Sequence, residues 1–268
     1  MLFRSLTLSG ITTANLTDTG TGHTFTVAGW SGNGSLSSSL TSDTETLTAT
    51  ETAGVTLTNT SLSPAGGGTL SLGGFAKANL TVTTASGNPT AIVDASGFSN
   101  GPTNVTVNGG GGAIVYGGTA GKSTLTASGS GDDILIGNGG GDKLTDSGSG
   151  MNILIGGGPG GNTLAGGGND ILVSGTTSYD ADTAANIAAL DAILAEWTSS
   201  DSYATRIGKI FAGVGTGGAD ALNSSTVTQD GTANTIQDGS AQSQNNNWFL
   251  AWSNDKVTKK SSEVETVL

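Results

Sequence analysis

A glycine-rich phrase repeats along residues 128–175 and limits what this chain can fold into. It reads SGSGDDILIGNGGGDKLTD, then SGSGMNILIGGGPGGNTLAG, then GGNDILVSG. A large apolar residue recurs at Tyr116, Leu125, Leu135, Leu144, Leu154, Leu164 and Leu172, in steps of 9, 10, 9, 10, 10 and 8 residues. Two steps make a unit of 18 to 20 residues. A short fixed period predicts a repeat architecture in which similar units stack on one another.

Short strand-like segments recur about every ten residues before this phrase. They alternate apolar residues with Thr or Ser, which is the pattern of a half-buried strand. They lie at 6–8, 15–17, 25–27, 55–57, 70–72, 80–82, 92–93, 105–107 and 114–116. With 46 Gly, 5% aromatic and 11% charged residues, the chain suits a fold that buries thin apolar columns. The pattern therefore predicts a right-handed parallel β-solenoid.

The pattern becomes helical after Gly175. Residues 182–197 place apolar side chains on one helical face, with Asp182 as the expected N-cap. A second helix is expected over 203–214, capped by Asp201 or Ser202. Strand-like pieces return at 226–228, 248–250, 256–258 and 264–267.

We therefore predict an all-β-dominant chain in three parts. Residues 1–107 form a Thr/Ser-rich parallel β-solenoid, residues 108–175 a Gly-rich β-roll, and residues 176–268 a small C-terminal α/β cap with two helices.

The glycine loops do not fit a nucleotide-binding motif. A phosphate-binding loop needs G-x-x-x-x-G-K-[ST], and YGGTAGKST has Tyr116 where its first glycine should be. A dinucleotide motif needs a strand before the glycines and a helix after them. No helical pattern follows these loops.

The same loops fit the nonapeptide G-G-x-G-x-D-x-U-x, in which U is a large apolar residue. The residues two before each apolar position are Ile114, Ser123, Asp133, Asp142, Asn152, Asn162 and Asp170. The best units are SGSGDDILI at 128–136 and GNGGGDKLT at 137–145. Over about 110–175 the chain resembles the RTX, or haemolysin-type, calcium-binding repeat family.

The resemblance implies a β-roll that binds Ca²⁺ between loops of successive turns. Glycines permit a positive φ and close backbone approach, and Asp side chains add the hard oxygen ligands that Ca²⁺ prefers. The implied metal-binding residues are Gly129, Gly131, Asp133, Gly140, Asp142, Gly148, Gly150, Asn152, Asn162, Gly168 and Asp170. One edge would carry Asp133, Asn152 and Asp170, and the other Ser123, Asp142 and Asn162.

The sequence departs from the family pattern in the charge of these residues. Each same-edge pair has at most one Asp, because its partner is Asn or Ser. Fewer charged ligands weaken calcium binding, so two or three weak sites are expected. The alternative is that the loops are glycine and Asn turns that need no metal.

Charge and composition exclude several classes of function. The net charge of −12 leaves no basic patch for nucleic acid. There is no Cys, and no apolar run reaches the ~20 residues that span a bilayer. The single His, His23, is interpreted as a turn residue. Arg4 and Arg206 are the only Arg, which offers little for a catalytic cleft, so no catalytic residue is assigned.

The expected function is that of a non-enzymatic, calcium-binding structural module of a secreted or cell-surface bacterial protein. The start MLFRSLTLSGI does not read as a signal peptide, whereas the ending EVETVL resembles the uncleaved signals of type I export. One alternative is an adhesin stalk with metal-free loops that binds cell-surface glycan or protein. Another is the non-catalytic tail of a polysaccharide-degrading enzyme.

Overall fold

A computed structural model describes residues 12–39, 44–87, 90–239 and 245–268. The predicted segment at 6–8 lies outside them. The strands are β1 (Thr13–Asp18), β2 (Thr24–Ala28), β3 (Asn33–Ser38), β4 (Glu45–Glu51), β5 (Val55–Thr58), β6 (Ser61–Pro64), β7 (Leu70–Gly73), β8 (Phe75–Thr84), β9 (Ala91–Gly97), β10 (Thr103–Gly109), β11 (Ala113–Tyr116), β12 (Thr124–Ala127), β13 (Ile134–Ile136), β14 (Lys143–Asp146), β15 (Ile153–Ile155), β16 (Thr163–Gly166), β17 (Ile171–Val173), β18 (Thr176–Thr177), β19 (Val227–Thr228), β20 (Thr235–Asp238), β21 (Trp248–Ala251), β22 (Lys256–Thr258) and β23 (Val264–Val267). Two helices, α1 (Ala184–Trp197) and α2 (Tyr203–Ala212), lie between β18 and β19.

Two large sheets contain nearly all of these strands. Sheet 1 has the order β1-β3-β7-β6-β5-β9-β11-β13-β15-β17-β21-β23, and sheet 2 has the order β2-β4-β8-β10-β12-β14-β16-β20-β22. The pairing is parallel except around β6, which runs antiparallel to β5 and β7. The prediction of a mostly β chain with parallel strands and two helices is confirmed.

From β9 to β17 consecutive strands alternate between the two sheets. In sheet 1, Ile114 pairs with Ile134, Ile134 with Ile153, and Ile153 with Ile171. We call one strand of each sheet, with its two connecting loops, a unit. The period of 18 to 20 residues in the sequence therefore corresponds to one unit.

Apolar columns fill the space between the sheets, because alternate residues of each strand point inward. One column runs along sheet 1 and one along sheet 2, and every member is buried. They contain Val93, Val115, Leu135, Leu154, Leu172 and Phe249, and Leu80, Val105, Leu125, Leu144, Leu164 and Ile236. The interpretation of Tyr116 as an inward position is wrong by one residue, because Val115 is the register partner of Leu135.

Tyr116 belongs to a second apolar cluster, on the outer face of sheet 1. The strands β11, β13, β15 and β17 read AIVY, ILI, ILI and ILV and are buried on both faces. Helices α1 and α2 cover their outer side chains, with Leu190, Ile193, Trp197 and Ile210 fully buried there. Sheet 2 strands of the same units place Thr on their outer face, as in TLTA of β12.

The two helices begin at side-chain caps. Thr183, not Asp182, is the N-cap of α1, because its side chain accepts a hydrogen bond from the main-chain N–H of Asn186. Ser202 caps α2 in the same way, as predicted. Among the described residues, neither helix is long and apolar enough to cross a membrane.

After the helices the chain returns to both sheets. Strand β20 pairs with β16, and β21 pairs with β17, both in parallel. The sheets thus continue across the predicted boundary at 175/176. The helices lie on one side of the stack, which differs from the end cap expected from the sequence.

Candidate functional site

The predicted ligand side chains of one edge form a continuous hydrogen-bonded row, which we call ladder 1. Each side-chain oxygen accepts a bond from the main-chain N–H of the equivalent residue one unit earlier. Asp133 accepts from Ala113 at 2.8 Å, Asn152 from Asp133 at 2.7 Å, and Asp170 from Asn152 at 2.8 Å. Asn247 and Glu263 extend the row, at 2.9 Å each. The structure therefore confirms the geometric grouping of Asp133, Asn152 and Asp170 on one edge.

The opposite edge carries an equivalent row, ladder 2. Ser123 Oγ accepts from Thr103 N at 3.2 Å, and Asp142 Oδ1 accepts from Ser123 N at 2.7 Å. Asn162 accepts from Asp142 at 2.8 Å. Asn234 and Asp255 complete it, at 2.7 and 2.8 Å. Every member of both ladders except Asp255 is buried.

Four ladder members were missed in the sequence, although a signal for them exists. Asn234, Asn247, Asp255 and Glu263 come after the helical segment, where the glycine phrase has ended. Three of them still lie two residues before a buried or half-buried apolar side chain, namely Ile236, Phe249 and Val257. The spacing rule that found Asp133 would have found these three.

The predicted loop glycines stack directly on one another. A methyl group on Gly150 would lie 1.9 Å from the carbonyl oxygen of Gly131, and one on Gly131 would lie 2.1 Å from that of Gly111. Gly129, Gly140, Gly148 and Gly168 have neighbours at 2.4 Å or less. None of these six has a positive φ. Close approach of successive loops, and not a left-handed backbone, requires glycine at these positions.

Burial sets the protonation chemistry of the ladder carboxyls. It raises the pKa of Asp133 to about 7 and that of Asp142 to about 6. The pKa of Asp170 is raised well above its usual value, first by burial and then by the nearby Asp146 carboxylate. Within the described residues, none of these carboxyls forms an ion pair with Lys or Arg.

The fit of these residues to calcium can be judged from what their oxygens face. Asp142 Oδ2 accepts from Gly139 N at 3.1 Å, and Asp170 Oδ2 accepts from Gly168 N at 3.0 Å. Both oxygens of each carboxylate are therefore directed at N–H donors. A lone pair used by an N–H group is not available to a cation, so the ladders as arranged do not form calcium sites at Asp142 or Asp170 alone.

A separate group of potential metal ligands lies near the start of the described chain. Asp18, His23 and Glu45 each offer an atom within 4.8 Å of the others. His23 Nδ1 contacts Asp18 Oδ2, and Glu45 Oε2 accepts from His23 N at 2.7 Å. The Asp18 contact raises the pKa of His23 and lowers that of Asp18. His23 is thus more than a turn residue, because it connects two successive units.

Comparison with known proteins found no similarity that would assign this chain: no family model, no curated protein and no solved structure matches it.

Proposed function

We propose that this chain is a non-enzymatic structural module, a right-handed parallel β-solenoid that forms a rigid part of a secreted or cell-surface protein. The handedness follows from the strong preference of parallel crossover connections. The extracellular location follows from the sequence resemblance. The observation that carries the proposal is the pair of ladders, which connect successive units along both edges of the stack.

The ladders support a structural role because their chemistry requires an acceptor and no charge. Asp, Asn, Ser and Glu all serve as members. Each satisfies a buried main-chain N–H that the parallel sheets leave without a partner, and an unsatisfied buried donor costs about 1–3 kcal/mol. The mixed Asp and Asn of the loops follow from this requirement.

Substitution of Asn162 by Ala tests the role of the ladders. The variant leaves the Asp142 N–H without its 2.8 Å acceptor, so the free energy of unfolding should fall by about 1–3 kcal/mol. Asn108→Ala is the matched control, because Asn108 lies on the outer face of sheet 2 and is only half-buried. Urea unfolding measures both variants. Equal, small effects of the two substitutions would contradict the proposal.

A second candidate function is the calcium binding implied by the RTX resemblance. It is favoured by one observation: Asp133, Asp142 and Asp170 are buried without a basic partner among the described residues. An Asp142→Asn variant keeps the acceptor and removes the charge. If calcium binds there, millimolar CaCl₂ should raise the melting temperature of the wild type more than that of the variant. An equal rise would argue against calcium at this loop.

A further inference from the structure

One inward-facing column of sheet 2 changes from apolar to acidic. Register pairing aligns Val82 with Val107, Val107 with Ala127, and Ala127 with Asp146. Asp146 is 4% exposed, so its carboxylate lies inside the stack where the previous units have hydrocarbon. The nonapeptide pattern does not include this residue. A carboxylate in such a place needs a partner that offsets the loss of water.

The atoms around Asp146 leave that need unmet. Asp146 Oδ1 accepts from Gly148 N at 2.7 Å, but Oδ2 is buried with no hydrogen-bond partner. Asn152 Nδ2 is also buried and unpartnered. A methyl group on Gly168 would lie 2.4 Å from the Gly150 carbonyl oxygen, 3.2 Å from Asp146 Oδ2 and 3.4 Å from Asp170 Oδ1. Oxygens of three residues therefore converge beside Gly168.

The end of the stack contains the same arrangement with a cation in it. Asp238 ends β20 as Asp146 ends β14, and Asn247 and Glu263 are the ladder 1 members that follow, as Asn152 and Asp170 are. There, Lys260 Nζ forms an ion pair with Asp238 Oδ2 at 2.9 Å.

The surrounding amides complete this outer set. Asn247 Nδ2 donates to Asp238 Oδ1 at 3.2 Å and to Glu263 Oε1 at 3.0 Å. Lys260 lies three residues before Glu263, and the residue three before Asp170 is Gly167. The inner set thus has the same two acids and the same Asn, without the ammonium group.

We propose that a calcium ion binds between the carboxylates of Asp146 and Asp170, in the place that the Lys260 ammonium takes in the outer set. Carboxylate and carbonyl oxygens are the ligands of Ca²⁺, which accepts irregular coordination. Mg²⁺ keeps its water molecules and demands a near-ideal octahedron, so it fits this buried space less well. The site requires neither the ladder function nor calcium at the repeat loops.

Equilibrium dialysis with CaCl₂ on the whole chain tests the site. Asp146→Asn should bind one Ca²⁺ fewer per chain than the wild type and lose part of the calcium-dependent rise in melting temperature. Asp146→Ala should do the same, and it restores the small apolar residue that Ala127 supplies one unit earlier. Glu265→Gln, an exposed acid, is the control and should bind as the wild type does.

Two further arms separate this site from the other proposals. Asp142→Asn, on the opposite edge, should leave the Asp146 ion bound, and MgCl₂ should not replace CaCl₂. The proposal is overturned if the wild type and Asp146→Asn bind the same number of ions. It is also overturned if the wild type binds none and Asp146→Asn melts higher in calcium-free buffer, because the two acids then share a proton instead.

Discussion

At the scale of single residues, the ladder positions show what the loop pattern encodes. The sequence predicts the edge residues Asp133, Asp142, Asn152, Asn162 and Asp170 correctly as two sets. It does not predict their partners, because these are main-chain N–H groups of the neighbouring unit. A one-dimensional pattern records which side chain stands at a position but not which backbone group it faces.

The stacked glycines lead to a test at the same scale. Gly150→Ala places a methyl group 1.9 Å from the Gly131 carbonyl oxygen, so successive loops must separate. We expect a loss of about 1–3 kcal/mol in the free energy of unfolding. Gly208→Ala in α2 meets no atom within 4 Å and should stabilise the chain by about 0.5–1 kcal/mol. Urea unfolding of both variants checks this, and a neutral Gly150→Ala would show that the loops are loosely stacked.

At the scale of elements, the strand sequences indicate which face is covered. Alternating strands such as TLTA have one buried face, whereas ILI strands are buried on both. The helical faces around Ile193 and Ile210 were also predictable from periodicity. That these two surfaces cover each other could not be read from the sequence, because the contact depends on where the chain crosses the stack.

Trp197 is the main contact between α1 and sheet 1. It is fully buried, its Nε1 donates to Asn169 O at 2.7 Å, and its ring lies 6.2 Å from that of Trp248. Trp197→Ala should weaken docking of the helices by about 3–5 kcal/mol. Limited proteolysis within 176–226 and the helical circular dichroism signal report the loss. Phe211→Ala, at a side chain 42% exposed on α2, should change neither, and an equal effect would contradict this contact.

At the scale of the whole molecule, the stability of the calcium-free chain should depend on pH. The pKa values of Asp133, Asp142 and Asp180 are raised by burial to about 7, about 6 and about 6. Between about pH 4 and about pH 7 the folded chain therefore binds more protons than the unfolded chain, so stability falls as pH rises. Urea midpoints at about pH 4.5 and about pH 7.5, with chelator, measure the fall.

A control identifies the groups responsible for this fall. Asp142→Asn removes one of the three carboxyls and keeps its Oδ1 acceptor, so the difference between the two midpoints should shrink. A midpoint that rises with pH in the wild type would contradict the buried-acid explanation.

The overall architecture was predictable to the level of parallel strands with two helices. The continuation of both sheets beyond the helices was not. Ile171 and Trp248 are register partners 77 residues apart, whereas earlier partners in sheet 1 lie 18 to 20 apart. A period search stops at such an interruption, while the stack itself only requires that the chain return to the same edge.

Every ladder bond has the same direction along the chain. The donor belongs to the earlier unit and the acceptor to the later one, from Ala113 and Asp133 through to Asn247 and Glu263. A chain shortened at its C-terminal end would therefore always finish in bare amide hydrogens, and one shortened at its N-terminal end in bare oxygens. Assembly of the stack is for this reason vectorial: each unit is completed only when the next part of the chain arrives.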